Sequence, residues 1–433
     1  MPHNEAVKSA RIVLSTWGSL GDLYPYLALA VELRRRGHHA SVATMTAWRE
    51  HVERAGVGFH AVGPEIPADD GAAREMVRRV LDAREGPRYL FEQVLGPATR
   101  ESYEALLAAV RADGGADLLV SHQVPLTGPI VAEVTGVRWV SGVVAPLAFF
   151  SVFDPSTPAP APWLYPLLAL HPIVPRLVNR LARRVTEPWV QPIARLRVEL
   201  GLPKGLNPLF EGQHSPQLVV ALFSHHFGEK QPDHPAQTVV TGFPFFDGAE
   251  RQPPPQELMT FLDEGKPPLL FTLGSSAVWI AGDFYSESIE AAVSLGQRAL
   301  LLAGEDAARL RARGLPSGIE AFDYAPHGLV MPRAAVNVHQ GGVGTTGQAL
   351  RAGRPMLVVP FAHDQPDNAR RCVSLGVART IGREAYSRAR VAKELARLLD
   401  DPSYVSRAAR VGADIRAERG TITACDAIEA LLP

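Results

Sequence analysis

Residues 336–368 read VNVHQGGVGTTGQALRAGRPMLVVPFAHDQPDN, and this stretch decides the fold class. Its opening apolar run predicts a strand that ends at His339. The glycine-rich run 341–344 predicts a tight turn into a helix that ends at Gly353, and Pro355 opens the next strand. Glycines let the backbone approach an anion closely, and a helix N-terminus offers unpaired N–H groups. The stretch therefore predicts an α/β unit whose turn binds a phosphate or diphosphate.

Three interpretations of this turn fit its residues. Gly342 to Gly347 matches the G-x-G-x-x-G fingerprint, and Asp364 lies about twenty residues on, where a dinucleotide enzyme places its ribose-binding acid. This favours an NAD(P)- or FAD-dependent oxidoreductase, although the fingerprint normally opens its sheet and here two strands of the same half precede it. The other two interpretations are a nucleotide-sugar site and a plain turn without a ligand. A plain turn does not require so many glycines beside a histidine.

The rest of the chain alternates short β-rich runs with longer helical runs, as is typical of parallel α/β sheets. In the first unit, a helix is predicted from Pro25 to Arg36, with Gly37 as its stop. Each half of the 433 residues opens with a strand and a glycine-containing turn, so two domains of one architecture are expected. The predicted strands are 12–15, 40–44, 117–121, 139–144, 217–223, 238–242, 269–273, 299–302, 335–338 and 356–360.

Charge and cysteine content exclude several functional classes. Forty-four basic and 45 acidic side chains give a net charge of −1, so no nucleic-acid partner is expected. Cys372 and Cys425 cannot form a disulfide framework, and no Cys/His spacing predicts a zinc site. The first 18 residues lack the apolar core and cleavage site of a secretory signal, and no stretch of about 18 residues is free of charges and prolines. We therefore expect a soluble, cytoplasmic protein.

Two segments depart from the alternation. Residues 149–175 are rich in proline, aromatic and aliphatic residues, and a basic amphipathic segment follows. They predict a surface excursion or an apolar wall for an acceptor, with a membrane-surface contact as a weaker alternative because prolines break a long amphipathic helix. Residues 248–268 are polar and proline-rich, as linkers are. The predicted organisation is a first domain 1–240, a linker 241–268, a second domain 269–405 and a C-terminal helix 406–433.

Several of these motifs together resemble a known enzyme family. The run from His339 to Gln365 is similar to the nucleotide-sugar signature of family 1 glycosyltransferases, with its histidine, glycine–threonine loop and closing Asp-Gln pair. Residues 324–327, Tyr-Ala-Pro-His, resemble that family's nucleobase segment, with histidine in place of glutamine, and Gly274-Ser275 resembles its second diphosphate contact. The resemblance implies the GT-B fold, in which two Rossmann-like β/α/β domains face each other across a cleft and the last helix crosses back to the first domain.

The resemblance also implies a role for each matching residue in binding a UDP- or dTDP-sugar donor. Tyr324 is expected to stack on the base while the backbone of Ala325, in the segment that His327 closes, reads its edge. Asp364 and Gln365 are expected to hydrogen-bond the sugar hydroxyls. The ribose contact falls on Gly347 or Gln348, depending on a one-residue gap. The residues expected to hold the diphosphate are Ser275, His339, Gly342, Val343, Gly344 and Thr345.

The first strand–helix loop carries the candidate catalytic base. The family usually places a histidine there, whereas residues 18–25 read GSLGDLYP, with Asp22 in its place. This GSxGD form resembles the branch that contains sterol, glycopeptide-antibiotic and rhamnolipid-type glycosyltransferases. A carboxylate desolvated in a closed cleft is a better base towards an alcohol than one in water. The alternative is that Asp22 merely faces the positive end of the following helix.

A second candidate and a missing motif complete the predicted site. Plant members pair their base with an aspartate after a later strand, and by chain order that place falls near His122, which either assists Asp22 or is an ordinary strand-end histidine. No Asp-x-Asp occurs, so neither a metal nor a cofactor is expected. The predicted function is inverting, metal-independent transfer of a hexose to a hydroxyl of a hydrophobic small molecule (natural product, flavonoid, sterol or lipid). The oxidoreductase and a non-catalytic binder remain the alternatives.

Overall fold

The computed structural model describes residues 9–124, 126–247 and 253–432. Its first sheet has seven strands, which are β1 Arg11–Ser15, β2 His39–Thr44, β3 Gly58–Ala61, β4 Leu118–His122, β5 Arg138–Val143, β6 Val219–Ala221 and β7 Thr238–Val240. They lie in the order β3-β2-β1-β4-β5-β6-β7, and every neighbouring pair is parallel. Along β1, Ile12 and Leu14 enter one apolar cluster and Val13 enters another, so both faces of the sheet are buried.

The second sheet has six strands, which are β8 Leu269–Thr272, β9 Ala299–Leu302, β10 Ile319–Phe322, β11 Val336–His339, β12 Met356–Val358 and β13 Ala378–Thr380. They are also parallel and lie in the order β10-β9-β8-β11-β12-β13. The predicted α/β class with two parallel-sheet units is therefore confirmed. Three strands were not predicted, β3, β10 and β13, and each lies at the edge of its sheet, where one or more of its residues are not buried.

Helices connect the strands. They are α1 Leu20–Arg35, α2 Arg49–Arg54, α3 Asp70–Val80, α4 Gly86–Tyr89, α5 Thr99–Arg111, α6 Gly128–Thr135, α7 Tyr165–Leu168, α8 Ile173–Thr186, α9 Gln191–Glu199, α10 Gln256–Asp263, α11 Gly274–Ala277, α12 Phe284–Ser294, α13 Asp306–Ala312, α14 His327–Val330, α15 Val343–Ala352, α16 Gln365–Ser374, α17 Arg388–Asp400, α18 Pro402–Ala417 and α19 Gly420–Glu429. Among the described residues, no helix is both long and apolar enough to span a bilayer.

The start of α1 differs from the prediction. The helix begins at Leu20, one turn before Pro25, which lies inside it. The reason is a capping box, in which Ser19 accepts a hydrogen bond from a first-turn amide and Asp22 accepts one from the backbone of Ser19. The prediction that Pro25 opens the helix was therefore wrong.

The predicted linker and C-terminal helix also differ in detail. Helix α10 lies within the predicted linker 241–268, and Leu258 on it is buried, so this part of the linker is packed; residues 248–252 lie outside the described residues. The C-terminal segment forms two helices, α18 and α19, instead of one. Helix α19 packs on α1, where Arg36 forms ion pairs with Asp426 and Glu429. The chain thus returns to the first sheet, while the exact domain boundaries stay a prediction.

Candidate active site

A cleft of about 860 Å³ lies between the carboxyl ends of the two sheets. The N-terminal turn of α1 lines it from the first domain, through Leu20 and Gly21. The turns after β8, β10 and β11 line it from the second domain, and the linker end of β7 closes one side. Carboxyl ends of parallel strands are the usual place for ligands in α/β proteins, because loops and helix N-termini converge there.

The glycine turn presents the N-terminus of α15 to this cleft. Gly342 is the N-cap of α15, and the cleft is lined by the first three residues of the helix, Val343, Gly344 and Thr345. The backbone N–H groups of a first helical turn have no partner within the helix, and the helix dipole adds partial positive charge there. This arrangement can hold the oxygens of a diphosphate without a metal ion.

His339 supplies a neutral donor beside this turn. Its side chain is fully buried at the end of β11, and its Nδ1 accepts a hydrogen bond of 3.1 Å from the N–H of Gly341. Burial, with a smaller effect of His327, lowers the pKa of His339 to about 3. The neutral ring therefore carries its proton on Nε2, which is buried and has no partner among the described residues. A buried N–H without a partner fits a ligand that accepts a hydrogen bond there.

The turn after β8 contributes the second predicted diphosphate contact. Ser275 lines the cleft, and its Oγ accepts a hydrogen bond of 3.4 Å from the N–H of Leu20 in the other domain. The residue before it must be glycine, because Gly274 has a φ of +66° and a Cβ there would lie 2.4 Å from Nε2 of Gln340. Ser275 therefore touches both the cleft and the first domain.

The predicted nucleobase segment follows β10 and also lines the cleft. Tyr324 is half exposed and lines the cleft together with His327, whereas Ala325 is buried beneath them. Burial lowers the pKa of His327 to about 4, so its ring is neutral at physiological pH. A half-exposed tyrosine ring at the cleft suits the stacking of a base.

Of the two candidates for the ribose contact, only one presents a side chain. Gly347 and Gln348 both line the cleft, but Gly347 lies against the ring of Phe243, where a Cβ would be 3.1 Å from Cδ1. Oε1 of Gln348 is buried and has no hydrogen-bond partner among the described residues. Gln348 is therefore the better placed of the two to accept a hydrogen bond from a ribose hydroxyl.

Asp22 occupies the N-terminal turn of α1, and its carboxylate has a structural partner. Its Oδ2 accepts hydrogen bonds from the N–H and the hydroxyl of Ser19, at 2.8 and 3.0 Å. Gly18 makes room for it, because a Cβ at Gly18 would lie 2.4 Å from that oxygen. The structure shows the capping role of Asp22, and Asp22 is not among the residues that line the cleft. Its role as a catalytic base stays a prediction.

Groups from both domains converge near Asp22. Burial raises the pKa of Asp364 to about 7, and the charge of Asp22 contributes to that rise. Burial lowers the pKa of His122, which the charge of Asp22 opposes. The ring of His122 packs edge-on against Tyr26, and its Nδ1–H donates to the carbonyl of Val124 at 2.9 Å. The charge of Asp22 therefore acts on one group in each domain, His122 in its own and Asp364 in the other.

The Asp364-Gln365 pair opens α16. Nδ2 of Asn368 donates to the Asp364 carboxylate at 2.6 Å. Oε1 of Gln365 accepts from the N–H groups of Phe361 and Ala362, at 2.8 and 3.3 Å. That oxygen is therefore committed to the backbone, and only the amide nitrogen of Gln365 is available to a sugar hydroxyl.

Two segments of the first domain, residues 154–157 and helix α3, contact the second domain. Asp154 accepts a hydrogen bond of 2.8 Å from Arg371 on α16, and the N–H of Thr157 donates to Asp367 at 2.9 Å. On the other side, Arg74 of α3 forms an ion pair of 2.7 Å with Glu305. The end of α3 also reaches His363, which hydrogen-bonds the backbone of Val80.

Comparison with known proteins adds to this geometry. Residues 12–112 match the model described as "Glycosyltransferase family 28 N-terminal domain", and residues 289–431 match "Erythromycin biosynthesis protein CIII-like, C-terminal domain". The chain is 33% identical over 434 residues to O-mycaminosyltylonolide 6-deoxyallosyltransferase of Streptomyces fradiae, covering 97% of each.

The chain is a GT-B glycosyltransferase.

Other relatives and solved structures agree with this assignment. The glycosyltransferase is 28% identical over 459 residues to the sterol 3-beta-glucosyltransferase of Cryptococcus neoformans, covering 96% of this chain but 27% of that relative. Its fold is similar to that of the spinosyn forosaminyltransferase SpnP, with a TM-score of 0.69, 20% identity and coverage of 98% and 99%. It is also similar to the Streptomyces sp. SF2575 glycosyltransferase SsfS6 complexed with thymidine diphosphate, with a TM-score of 0.63, 23% identity and coverage of 97% and 99%. The family resemblance is confirmed, and the oxidoreductase interpretation has no support among these proteins.

The predicted site residues of the glycosyltransferase fall into two sets, according to whether they line the cleft. Those that line the cleft are Ser275, Tyr324, His327, Val343, Gly344, Thr345 and Gln348. Those that are not part of the cleft lining are Asp22, His122, Ala325, His339, Gly342, Asp364 and Gln365. This second group includes both predicted catalytic residues and the predicted sugar-binding pair, so their roles stay predictions.

Part of the cleft wall of the glycosyltransferase lies in the segment predicted to be a linker. Residues 243–247, Phe-Pro-Phe-Phe-Asp, line the cleft although they fall in the predicted linker. Asp247 accepts a hydrogen bond of 2.7 Å from Arg351 of α15, whose guanidinium carbon lies 4.5 Å from the centre of the Phe245 ring. The aromatic run directly after a strand was the available signal, since linkers are usually polar.

Proposed function

We propose that this glycosyltransferase moves a hexose from a UDP- or dTDP-sugar to a hydroxyl of a hydrophobic small-molecule acceptor, with inversion and without a metal ion. The observation that carries the proposal is the position of His339, a neutral donor with an unshared buried N–H, beside the N-terminus of α15 at an interdomain cleft. The cleft is large enough for a nucleoside diphosphate, since ligand pockets are typically about 300–1,000 Å³.

Donor binding follows from the groups that line the cleft. The first-turn amides of α15, Ser275 and the Nε2–H of His339 hold the diphosphate, with the helix dipole offsetting its charge. Tyr324 stacks on the base and the backbone of Ala325 reads its edge. The thymidine diphosphate complexed with SsfS6 and the deoxysugar in the name of the Streptomyces fradiae relative support a dTDP-sugar donor.

The transfer step needs a base on one side and charge stabilisation on the other. In the proposed reaction Asp22 takes the proton of the acceptor hydroxyl as its oxygen attacks the anomeric carbon, and the bond from that carbon to the diphosphate breaks. The negative charge that develops on the leaving diphosphate is stabilised by the same donors that bind it, which need no reorganisation at that moment. A single displacement of this kind inverts the anomeric centre. His122 is a positioning residue for Asp22 in this scheme.

The acceptor class rests on relatives and on the apolar segment of the first domain. The named relatives act on a tylonolide derivative and on sterols, both of which are large hydroxylated ring systems. In this chain the segment 149–162 is rich in proline, aromatic and aliphatic residues and is tied to α16, which opens with the predicted sugar-binding pair. We therefore propose a macrolide-, sterol- or lipid-like acceptor.

The test is a donor and acceptor panel with a matched variant. Wild-type enzyme with UDP- and dTDP-hexoses and macrolide, sterol and flavonoid acceptors is expected to release nucleoside diphosphate and to yield an inverted glycoside by NMR, with EDTA present or absent. His339→Ala is expected to weaken nucleotide binding in calorimetry at least about tenfold, because a buried donor to a charged group is lost. The exposed His225→Ala serves as the control. Nucleotide binding without product across the panel would favour the non-catalytic binder.

A further inference from the structure

An exposed apolar surface lies outside the cleft on the first domain. It is formed by residues 163–186, which include α7 and α8, and we call it the 163–186 surface. Trp163 is 78% exposed and Leu181 62% exposed, although both are large and apolar. The other exposed apolar side chains of the surface are Leu167, Leu170, Ile173, Leu177, Val178 and Val185. Apolar patches of this kind on a folded protein mark a contact with something else.

The spacing of these residues places them on one side of α8. Ile173, Leu177 and Leu181 follow one another at four-residue intervals, so they form a single stripe along the helix. The opposite side is docked on the domain, where Pro175 and Thr186 are buried and Nδ2 of Asn179 donates to the carbonyl of Phe150 at 2.8 Å. The helix is therefore fixed to the protein by one face and presents its apolar stripe outward.

Arginines flank the stripe, and the surface has no acidic residue. Residues 163–186 contain Arg176, Arg180, Arg183 and Arg184 and neither Asp nor Glu. Arg183 pairs with Glu211 at 3.0 Å, whereas no ion pair to the other three arginines occurs among the described residues. A stripe of apolar side chains beside uncompensated arginines is the composition of a helix that lies in a lipid interface, with its apolar side in the acyl region and its cations at the phosphates.

We propose that the 163–186 surface docks the enzyme on an anionic lipid bilayer. A second copy of the chain fits less well, because a two-fold contact through α8 would bring the same arginines together without acidic partners. The exposed tryptophan at one end of the surface also suits the boundary between headgroups and acyl chains, where aromatic side chains are enriched.

The experiment is flotation of the full chain with vesicles of phosphatidylcholine, with and without phosphatidylglycerol. We expect binding to the anionic vesicles that falls as NaCl is raised, since the phosphate contacts are screened by salt. The triple variant Arg176→Gln, Arg180→Gln, Arg184→Gln is expected to bind about 100-fold more weakly, at roughly fivefold for each cation near the surface. The double variant Leu177→Asp, Leu181→Asp is expected to lose binding at least about tenfold.

A matched control and an oligomer measurement keep the proposal falsifiable. Val293→Asp places one aspartate on an exposed apolar site of α12 and is compared with the single variant Leu181→Asp; it is expected to bind vesicles like wild type. Melting curves and nucleotide binding of all variants show that they are folded. Equal binding to neutral and anionic vesicles, or binding unchanged in the Leu177/Leu181 variant, overturns the proposal. So does a dimer in analytical ultracentrifugation that the Leu177/Leu181 variant dissociates, because the stripe then belongs to a protein contact.

Discussion

Gly344 in the glycine turn of the second domain contacts Gly21 in the first turn of α1, so closely that a Cβ at position 344 would lie 2.9 Å from the Cα of Gly21. The reverse substitution meets more space, because a Cβ at Gly21 would have the Oγ of Ser19 at 3.3 Å and the N of Gly344 at 3.6 Å. Helix α15 and helix α1, which carries the candidate base, therefore meet backbone to backbone.

This asymmetry predicts different outcomes for two similar substitutions. Gly344→Ala is expected to lower kcat/KM for the donor about tenfold or more, because overpacking that costs about 1–3 kcal/mol separates the two helix ends. Gly21→Ala is expected to stay within about twofold of wild type, since the flexible Ser19 side chain can move. Steady-state kinetics measure both. Equal losses for the two variants would show that the contact between the glycines is not what limits activity.

Asp22→Asn separates the two roles of this carboxylate. Asparagine keeps an oxygen that can accept the Ser19 N–H, so the cap survives, but it cannot take a proton. We expect kcat to fall by about 10²–10⁴ with nucleotide affinity unchanged. Ser19→Ala is the matched control, which weakens the cap by about 1 kcal/mol and leaves the carboxylate in place. If both variants lose the same small fraction of activity, Asp22 is only a capping residue.

The raised pKa of Asp364 predicts how stability changes with pH. The pKa rises from 3.8 to about 7, mainly through burial, so the folded state holds a proton that the unfolded state has released. The stabilisation is complete below about pH 4 and is lost as pH rises through about 7, at a cost of up to about 4 kcal/mol.

Asp364→Asn is therefore expected to raise Tm relative to wild type at pH 8 and to leave the difference near zero at pH 4. The measurement is the difference between the two melting profiles across this range, because the buried histidines contribute equally to both. The exposed Asp70→Asn serves as the control and is expected to follow wild type throughout. A difference that does not change with pH would contradict the titration of Asp364 in this range.

Most of the fold was predictable from local sequence. The central strands are short apolar runs that the chain alternates with helices, and residues 336–368 predicted β11, α15 and β12 in order. The edge strand β13, Ala-Arg-Thr, carries no such run and is defined by its pairing with β12, which local sequence does not report. The start of α1 was mispredicted because proline was given more weight than the Ser19–Asp22 capping box.

The parts of the candidate site that consist of one continuous segment could be predicted from the sequence. The glycine turn offers backbone N–H groups of a helix N-terminus, so its own residues suffice to indicate a candidate anion site. The wall made by residues 243–247 was not predicted, because its position depends on Arg351, about 100 residues further along the chain. The sequence also does not show that Oε1 of Gln365 accepts hydrogen bonds from the N–H groups of Phe361 and Ala362. These bonds depend on the turn that brings the two residues next to Gln365.

The unshared oxygen of Gln348 predicts a selective effect on ligand binding. Gln348→Ala is expected to weaken UDP or dTDP binding about fivefold to tenfold, which is the usual contribution of one hydrogen bond. Inorganic pyrophosphate lacks a ribose, so its affinity is expected to stay unchanged in the same variant. Isothermal titration of wild type and variant with the three ligands measures this. A parallel loss for pyrophosphate would place Gln348 at the diphosphate instead of the ribose.

The bridge between Asp154 and Arg371 predicts a loss that affects the acceptor more than the donor. Arg371 also donates to the fully buried Asp367 at 2.7 Å, and Asp367 in turn holds the N–H of Thr157. Asp154→Asn removes the first-domain carboxylate that Arg371 contacts, while Arg371 keeps its hydrogen bond to Asp367. We expect a stability loss of about 1–3 kcal/mol and a raised KM for the acceptor, with nucleotide affinity near wild type, because the segment that follows β5 is no longer held on α16.

Asp233 offers the matched comparison for this prediction. Its carboxylate accepts from the hydroxyl of Ser151 and the N–H of Val152, both at 2.7 Å, so it ties the same segment to its own domain. Asp233→Asn removes a charge from the same segment but leaves the bridge to α16 intact. If contact between the domains places the acceptor, Asp154→Asn raises the acceptor KM more than Asp233→Asn does at equal loss of stability. Equal KM values at equal stability would mean that the segment needs only to be folded and that the bridge does not position the acceptor.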